Sequence, residues 1–204
     1  MMTTRGILLL LGLLIASASQ AQTFSGFIEL GPNLNQIQGD DLAGWNSIGG
    51  FAGVGVYSDF SDRWRGSLTI SYSQYGSSAS SREVFQMTSI YDKVSLDYIA
   101  VPFKVHYMDW LSNDETFYKL EFYAGFEYLR LISEEAEGID GSDLILINPY
   151  NNNGVNALAG AYYVWSLKWA AGFNYHSSIT AMQQRDDERN QFLKQLGFRL
   201  RRTF

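Results

Sequence analysis

The chain has 204 residues with 46% hydrophobic and 18% charged side chains, 13 Phe, 13 Tyr, 5 Trp, 19 Gly, 3 Pro and no Cys. Without cysteine there is no disulfide scaffold, thiolate metal site or Cys nucleophile. A formal net charge of −6 argues against nucleic acid as a partner.

Residues 1–21 read as a secretory signal. Arg5 is the positive n-region, Ile7–Ile15 is an apolar run too short to span a bilayer, and Ser19-Gln20-Ala21 offers a cleavage site before Gln22. Residues 22–204 then form one domain. Turn chemistry divides it into eight segments: Phe24–Leu34, Ile48–Tyr57, Arg63–Tyr75, Lys93–Met108, Thr116–Ile132, Gly154–Val164, Lys168–Ser178 and Gln191–Phe204.

The segments alternate with period two, the signature of strands. In the fourth, Ile99, Val101, Phe103, Val105 and Tyr107 share one face, opposed by Tyr98, Ala100, Pro102, Lys104 and His106. In the fifth, Tyr118, Leu120, Phe122, Ala124, Phe126 and Tyr128 oppose Lys119, Glu121, Tyr123, Gly125 and Glu127. The polar faces are rich in Gly, Ala and Ser, which suits a narrow lumen better than a solvated surface. Aromatic residues at the ends of the apolar faces read as lipid-facing surface and interfacial belts. Connections alternate in length: Asn35–Ser47, Gly76–Asp92, Ser133–Asn153 and Ile179–Asn190 are long, whereas Ser58–Asp62, Asp109–Glu115 and Trp165–Leu167 are short. An up-and-down barrel with short periplasmic turns and long outer loops has this pattern. The predicted fold is all-β: an eight-stranded antiparallel up-and-down transmembrane β-barrel in the cell outer membrane. A soluble secreted β-sandwich or lipocalin-like binder is the competing architecture.

The chain resembles the PorT-like outer-membrane barrel family of the Bacteroidetes. Gly31-Pro32-Asn33-Leu34-Asn35, the Gly-rich stretch Gly49–Tyr57, Tyr98–Val105, and the closing Leu196, Gly197, Phe198, Arg199, Leu200 and Phe204 carry the resemblance. It implies the barrel fold and the outer membrane, but no shared activity; one member serves protein secretion. Leu196, Gly197, Phe198, Leu200 and Phe204 also resemble the C-terminal signal read by the barrel-assembly machinery, with Arg202 breaking the alternation.

The same register turns Glu29, Arg65, Lys104, Lys119, Glu121, Glu127, Lys168, Arg199 and Arg201 inward, with Glu29 beside Arg199 and Arg201 where the first and last strands close the barrel. Charges there must be paired. They read as a salt-bridge plug, the alternative being an ion pathway or gate. His176 and Ser178, with Glu188 in the next loop, resemble the His-x-Ser pair of outer-membrane lipid hydrolases, but they face the lumen in this register. His106 reads as a rim histidine without an acid or Ser partner. The acidic stretch Ser133–Asp143 reads as a solvated loop, with weak calcium binding as its alternative. Gly53-x-Gly55 lacks the turn and helix of a nucleotide fingerprint, and no cofactor is implied. The expected protein is non-enzymatic. Its partners would be outer-membrane lipid, the barrel-assembly machinery during insertion, and an envelope protein bound by the outer loops or periplasmic rim.

Overall fold

A computed structural model describes residues 24–40, 44–79, 91–138, 142–144, 150–184 and 190–204. The predicted signal segment lies outside them. The strands are β1 (Phe24–Gln38), β2 (Ser47–Ser61), β3 (Trp64–Ser78), β4 (Tyr91–Leu111), β5 (Tyr118–Gly138), β6 (Asp143–Leu144), β7 (Asn153–Ser166), β8 (Trp169–Ser178), β9 (Gln183–Gln184) and β10 (Asn190–Thr203). Eight of them pair antiparallel with their neighbours around a ring, β1-β2-β3-β4-β5-β7-β8-β10. The ring closes where β1 pairs β10, with Glu29 opposite Arg201 and Leu30 opposite Leu200. The two-residue strands β6 and β9 extend β5 and β10 at the long-loop end. Closure leaves none of the eight barrel strands with a free edge.

Alternation decides what each strand presents. On the β4–β5 pair, Phe103 lies opposite Phe126, Val105 opposite Ala124 and Tyr107 opposite Phe122, all on the outer surface. Phe103, Phe126 and Phe173 are 55%, 60% and 70% exposed. A girdle of that size is intolerable in water and is the surface a barrel turns to lipid. At the C-terminus Leu196, Phe198, Leu200 and Phe204 join this outer face, while Gly197 points inward. Arg202 also faces outward, at the short-turn end, with its guanidinium over the Trp169 and Phe204 rings at 5.5 Å. The break in the alternation is thus a cation lying on aromatic rings at the barrel rim.

The strands outrun their predicted ends on the long-loop side. β1 continues to Gln38, and β5 to Gly138 through Glu134, Glu135 and Glu137. Polar residues there read as loop in the sequence, yet they are paired: Glu135 lies opposite Ser95 and Glu137 opposite Lys93. Among the described residues the acids of Ser133–Asp143 do not form a cluster that could hold a metal ion. Glu134 accepts a hydrogen bond from the Tyr150 backbone N–H at 3.0 Å, Glu135 and Glu137 are exposed on the strand, and Asp140 lies outside the described residues.

On this extension the usual polarity returns. Lys93, Ser95 and Asp97 face out, while Val94, Leu96, Leu129, Ala136, Met182 and Leu193 are buried inside with Ile37, Tyr75, Tyr98 and Tyr150. Met182 and Tyr150 come from the long connections: Asn151 donates its backbone N–H to the Met182 carbonyl at 2.6 Å and its side-chain amide to Ala181 O at 2.9 Å. The result is an apolar stopper across the long-loop end of the barrel. At the other end, turns 62–63 and 167–168 are tight, and Ser112 organises the third. Its hydroxyl donates to Asp114 and accepts the backbone N–H groups of Thr116 and Phe117. The hydrogen bond from Ser112 also holds the Asp114 carboxyl below its ordinary range. Trp110 and Glu115 adopt φ of 58° and 56°, left-handed conformations that non-glycine residues rarely hold. We expect Ser112→Ala to cost about 1 kcal/mol, read as a lower urea midpoint of the lipid-reconstituted protein.

Candidate functional site: the filled lumen

The lumen is built in tiers by inward residues of facing strands. Nearest the short turns, Arg201 of β10 grips Glu121 of β5 through two hydrogen bonds of 2.6 Å. Arg65 of β3 reaches Asp59 at 2.8 Å and Glu121 at 3.8 Å. His106 of β4 places Nδ1 2.7 Å from Glu121 Oε1 and Nε2 2.7 Å from Ser67 Oγ. The Arg201 guanidinium lies 4.2 Å from the centre of the Tyr162 ring.

In the next tier, Lys104 of β4 donates to Glu29 of β1 at 3.2 Å, and the Tyr162 hydroxyl donates to the other Glu29 oxygen at 2.8 Å. Tyr162 stacks on Tyr123, whose ring Lys104 also faces. Glu29 thus sits opposite Arg201 in the ladder, but its carboxylate is held by Lys104 and Tyr162. Arg199 is fully buried with no carboxylate partner among the described residues. It packs 3.9 Å from the Phe51 ring centre and donates to Pro32 O, Phe198 O and Gln195 Oε1.

Toward the stopper, Glu127 of β5 accepts from Tyr75 at 2.8 Å and from Asn156 at 2.8 Å, and lies 2.6 Å from His176 Nδ1. Gln195 ties Asn35 to Ser73 across the seam. Small residues make this density feasible. A Cβ on Gly160 would stand 2.5 Å from Tyr123 Oη, and one on Gly197 would meet Asn174 and the Arg199 guanidinium. Gly160→Ala should overpack the tyrosine stack at a cost of about 1–3 kcal/mol, seen as an earlier loss of the heat-resistant folded band on gels.

The sequence register brings Glu29, Lys104, Glu121, Glu127, Arg199 and Arg201 into the lumen, and Arg65 to its mouth. Two expected members are elsewhere. Lys168 is exposed in the turn before β8, because the strand begins one residue later at Trp169. Lys119 lies at the rim over the Trp110 ring at 5.3 Å rather than in an ion pair. His106 is not a rim residue but one of the most buried groups, with both an acid and a serine beside it. Of the inward tyrosines, Tyr98 and Tyr123 stand on the faces that the alternation opposes to the apolar ones, whereas Tyr57, Tyr75 and Tyr162 were not assigned inward, although strand parity would have found them.

Among the described residues, neither histidine stands in a solvent-open arrangement with an acid and a serine. Ser178 bonds Asn156 at 2.9 Å, His176 turns to Glu127, and Glu188 lies outside the described residues. Ser67, His106 and Glu121 follow the order of an acyl-transfer triad. However, Ser67 is 3% and His106 1% exposed, and Arg201 occupies both Glu121 oxygens.

No known family profile matches the sequence, and no curated relative matches it either. Solved structures do resemble it. Neisserial surface protein A (NspA) aligns over 91% of this chain and 100% of its own at 12% identity, with a TM-score of 0.51. Ail, the attachment invasion locus protein of Yersinia pestis, aligns over 88% of this chain and 98% of its own at 10% identity, with a TM-score of 0.50. The fold is that of an outer-membrane β-barrel. This settles the choice against a sandwich, since the barrel closes on itself at the β1–β10 seam.

Proposed function

We propose that the protein is a non-enzymatic outer-membrane barrel with a plugged lumen, serving as a partner-binding or accessory component of the envelope. The observation that carries this reading is the lumen itself, filled by buried charged side chains and tyrosines and stoppered at the long-loop end. Eight-stranded barrels leave an interior that side chains fill. The short turns and both ends of the barrel sheet lie on the periplasmic side, and the long connections lie outside. Lipid covers the apolar girdle, and the barrel-assembly machinery reads the outward Leu196, Phe198, Leu200 and Phe204.

The PorT-like resemblance rests on its four motifs alone. It makes a secretion or assembly complex the first partner to test, and co-purification in mild detergent from cross-linked cells is the test. Recovery of the barrel alone after cross-linking at both rims would sink the accessory role. Two further outcomes are expected. Planar-bilayer recordings should show no discrete conductance, and outer-membrane lipid mass spectra should be unchanged by Ser67→Ala or His176→Ala. Steady channel steps would instead support the gate reading.

A further inference from the structure

The stopper closes one end of the barrel only. At the short-turn end a cavity of about 810 Å³ opens above the Glu121–Arg201 pair. Its two walls differ. Met108, Leu111, Phe117, Val164 and Leu167, from the β4–β5 and β7–β8 hairpins, make an apolar wall. Ser25, Asp59, Asp62, Arg65, Arg201 and Thr203, from β1, the β2–β3 hairpin and β10, make the facing side more polar, with Phe60 among them, and Glu115, Thr116 and Ser166 add polar groups to the hairpin side. Phe60 and Leu167 line the same cavity and remain 58% and 65% exposed, which is unusual for large apolar residues in a concavity.

The charges are not balanced. Four acids line the cup, Asp59, Asp62, Glu115 and Glu121, against two arginines. Arg65 engages Asp59 and Glu121, and Arg201 engages Glu121. Asp62 and Glu115 have no cationic partner among the described residues. Lys168 sits in the neighbouring turn, outside the lining. Arg63, next to Asp62 but outside the lining, is paired with Asp109, so an anion in the cup would meet guanidinium groups already engaged and the carboxylates of Asp62 and Glu115. The complementary occupant carries cationic side chains together with apolar ones. The volume is that of a ligand pocket, enough for a few residues of chain.

We propose that this cup receives the tip of a basic amphipathic polypeptide segment, with its apolar side chains on the Met108–Leu111–Leu167 wall and a lysine or arginine at Asp62 and Glu115. The assignment of that segment to the periplasm rests on the orientation proposed above. The affinity does not.

The absence of cysteine gives a clean reporter: Ser61→Cys, on the cup lining, carries an environment-sensitive fluorophore in zwitterionic lipid nanodiscs. The probes are eight-residue peptides. Alternating Leu/Lys is expected to saturate the signal, with Leu/Glu and Ser/Lys about tenfold weaker or worse. Asp62→Asn combined with Glu115→Gln should weaken Leu/Lys about fivefold or more while leaving the heat-modifiable band in place. Equal affinity for Leu/Glu, no effect of the double variant, or equal saturation by spermine, which would mark a small-polycation site, overturns the proposal. Sidedness is tested separately in cells with a membrane-impermeant maleimide. Labelling of Ser61→Cys only after the outer membrane is permeabilised supports the orientation. Labelling of intact cells overturns the orientation, and the peptide affinities then decide on their own whether the cup binds as proposed.

Discussion

Glu121→Ala should be among the most damaging single substitutions in the barrel, costing about 3–5 kcal/mol. Glu121 is 1% exposed and Arg201 3%. Their two 2.6 Å hydrogen bonds offset the desolvation of both groups only while both are present. Removal of the carboxylate strands a guanidinium against the Tyr162 ring and takes the nearby acid from His106 and Arg65. Glu121→Gln keeps the shape and one acceptor, so its loss should be smaller. Urea titration of lipid-reconstituted protein, followed by the gel-mobility shift, reads both. Wild-type stability for Glu121→Ala would mean that water reaches this tier and that the lumen is not a dry plug.

The second large effect tests whether charge or volume fills the next tier. Lys104→Met leaves Glu29 with only the Tyr162 hydroxyl, and the expected cost is again about 3–5 kcal/mol. Combining Lys104→Met with Glu29→Gln removes both charges while preserving an acceptor for Tyr162. Most of the loss should then return, because a buried ion pair replaced as a unit is close to neutral. A double-mutant cycle measures this recovery. Additive losses would show that Lys104 acts through its packing on Tyr123 rather than through Glu29. The two tiers share Tyr162, so effects of Glu121 and Glu29 variants should not simply add.

The fold was legible because period-two alternation and alternating connection lengths are direct consequences of a barrel with two different solvents. The ladder opposes Ile99 to Tyr72 and Phe103 to Phe126, on the outer faces assigned from sequence. Strand ends were less legible. Asn35 and Glu134–Glu137 look like loop residues, yet Asn35 bonds Gln195 inside and the glutamates pair with β4 beyond the apolar girdle. The lumen partners were least legible. Parity shows which side chains point inward but not which meet across the barrel, and so it could not give Glu29 to Lys104 or His106 to Glu121 and Ser67. Those contacts depend on the height of each residue along a tilted strand. Lys168 was misplaced for a simpler reason: one residue at a strand start decides between lumen and turn.

The reversal of polarity along β4 and β5 has a consequence for assembly. Below Ile99 the outer face of β4 is apolar, and above it come Asp97, Ser95 and Lys93, with Glu135 and Glu137 beside them on β5. In the proposed orientation this collar stands on the far side of the bilayer from the compartment in which insertion begins. Every strand pair of a barrel must thread its loop across, but here the hairpin also carries ionised strand residues through hydrocarbon, where a single Lys at mid-depth costs about 2–4 kcal/mol. Unaided insertion into a thick, well-ordered bilayer should therefore stall at this hairpin, whereas a catalyst that thins or opens the membrane removes the barrier. In that orientation, the collar that gives the finished barrel a water-compatible crown should also make its translocation step depend on assistance.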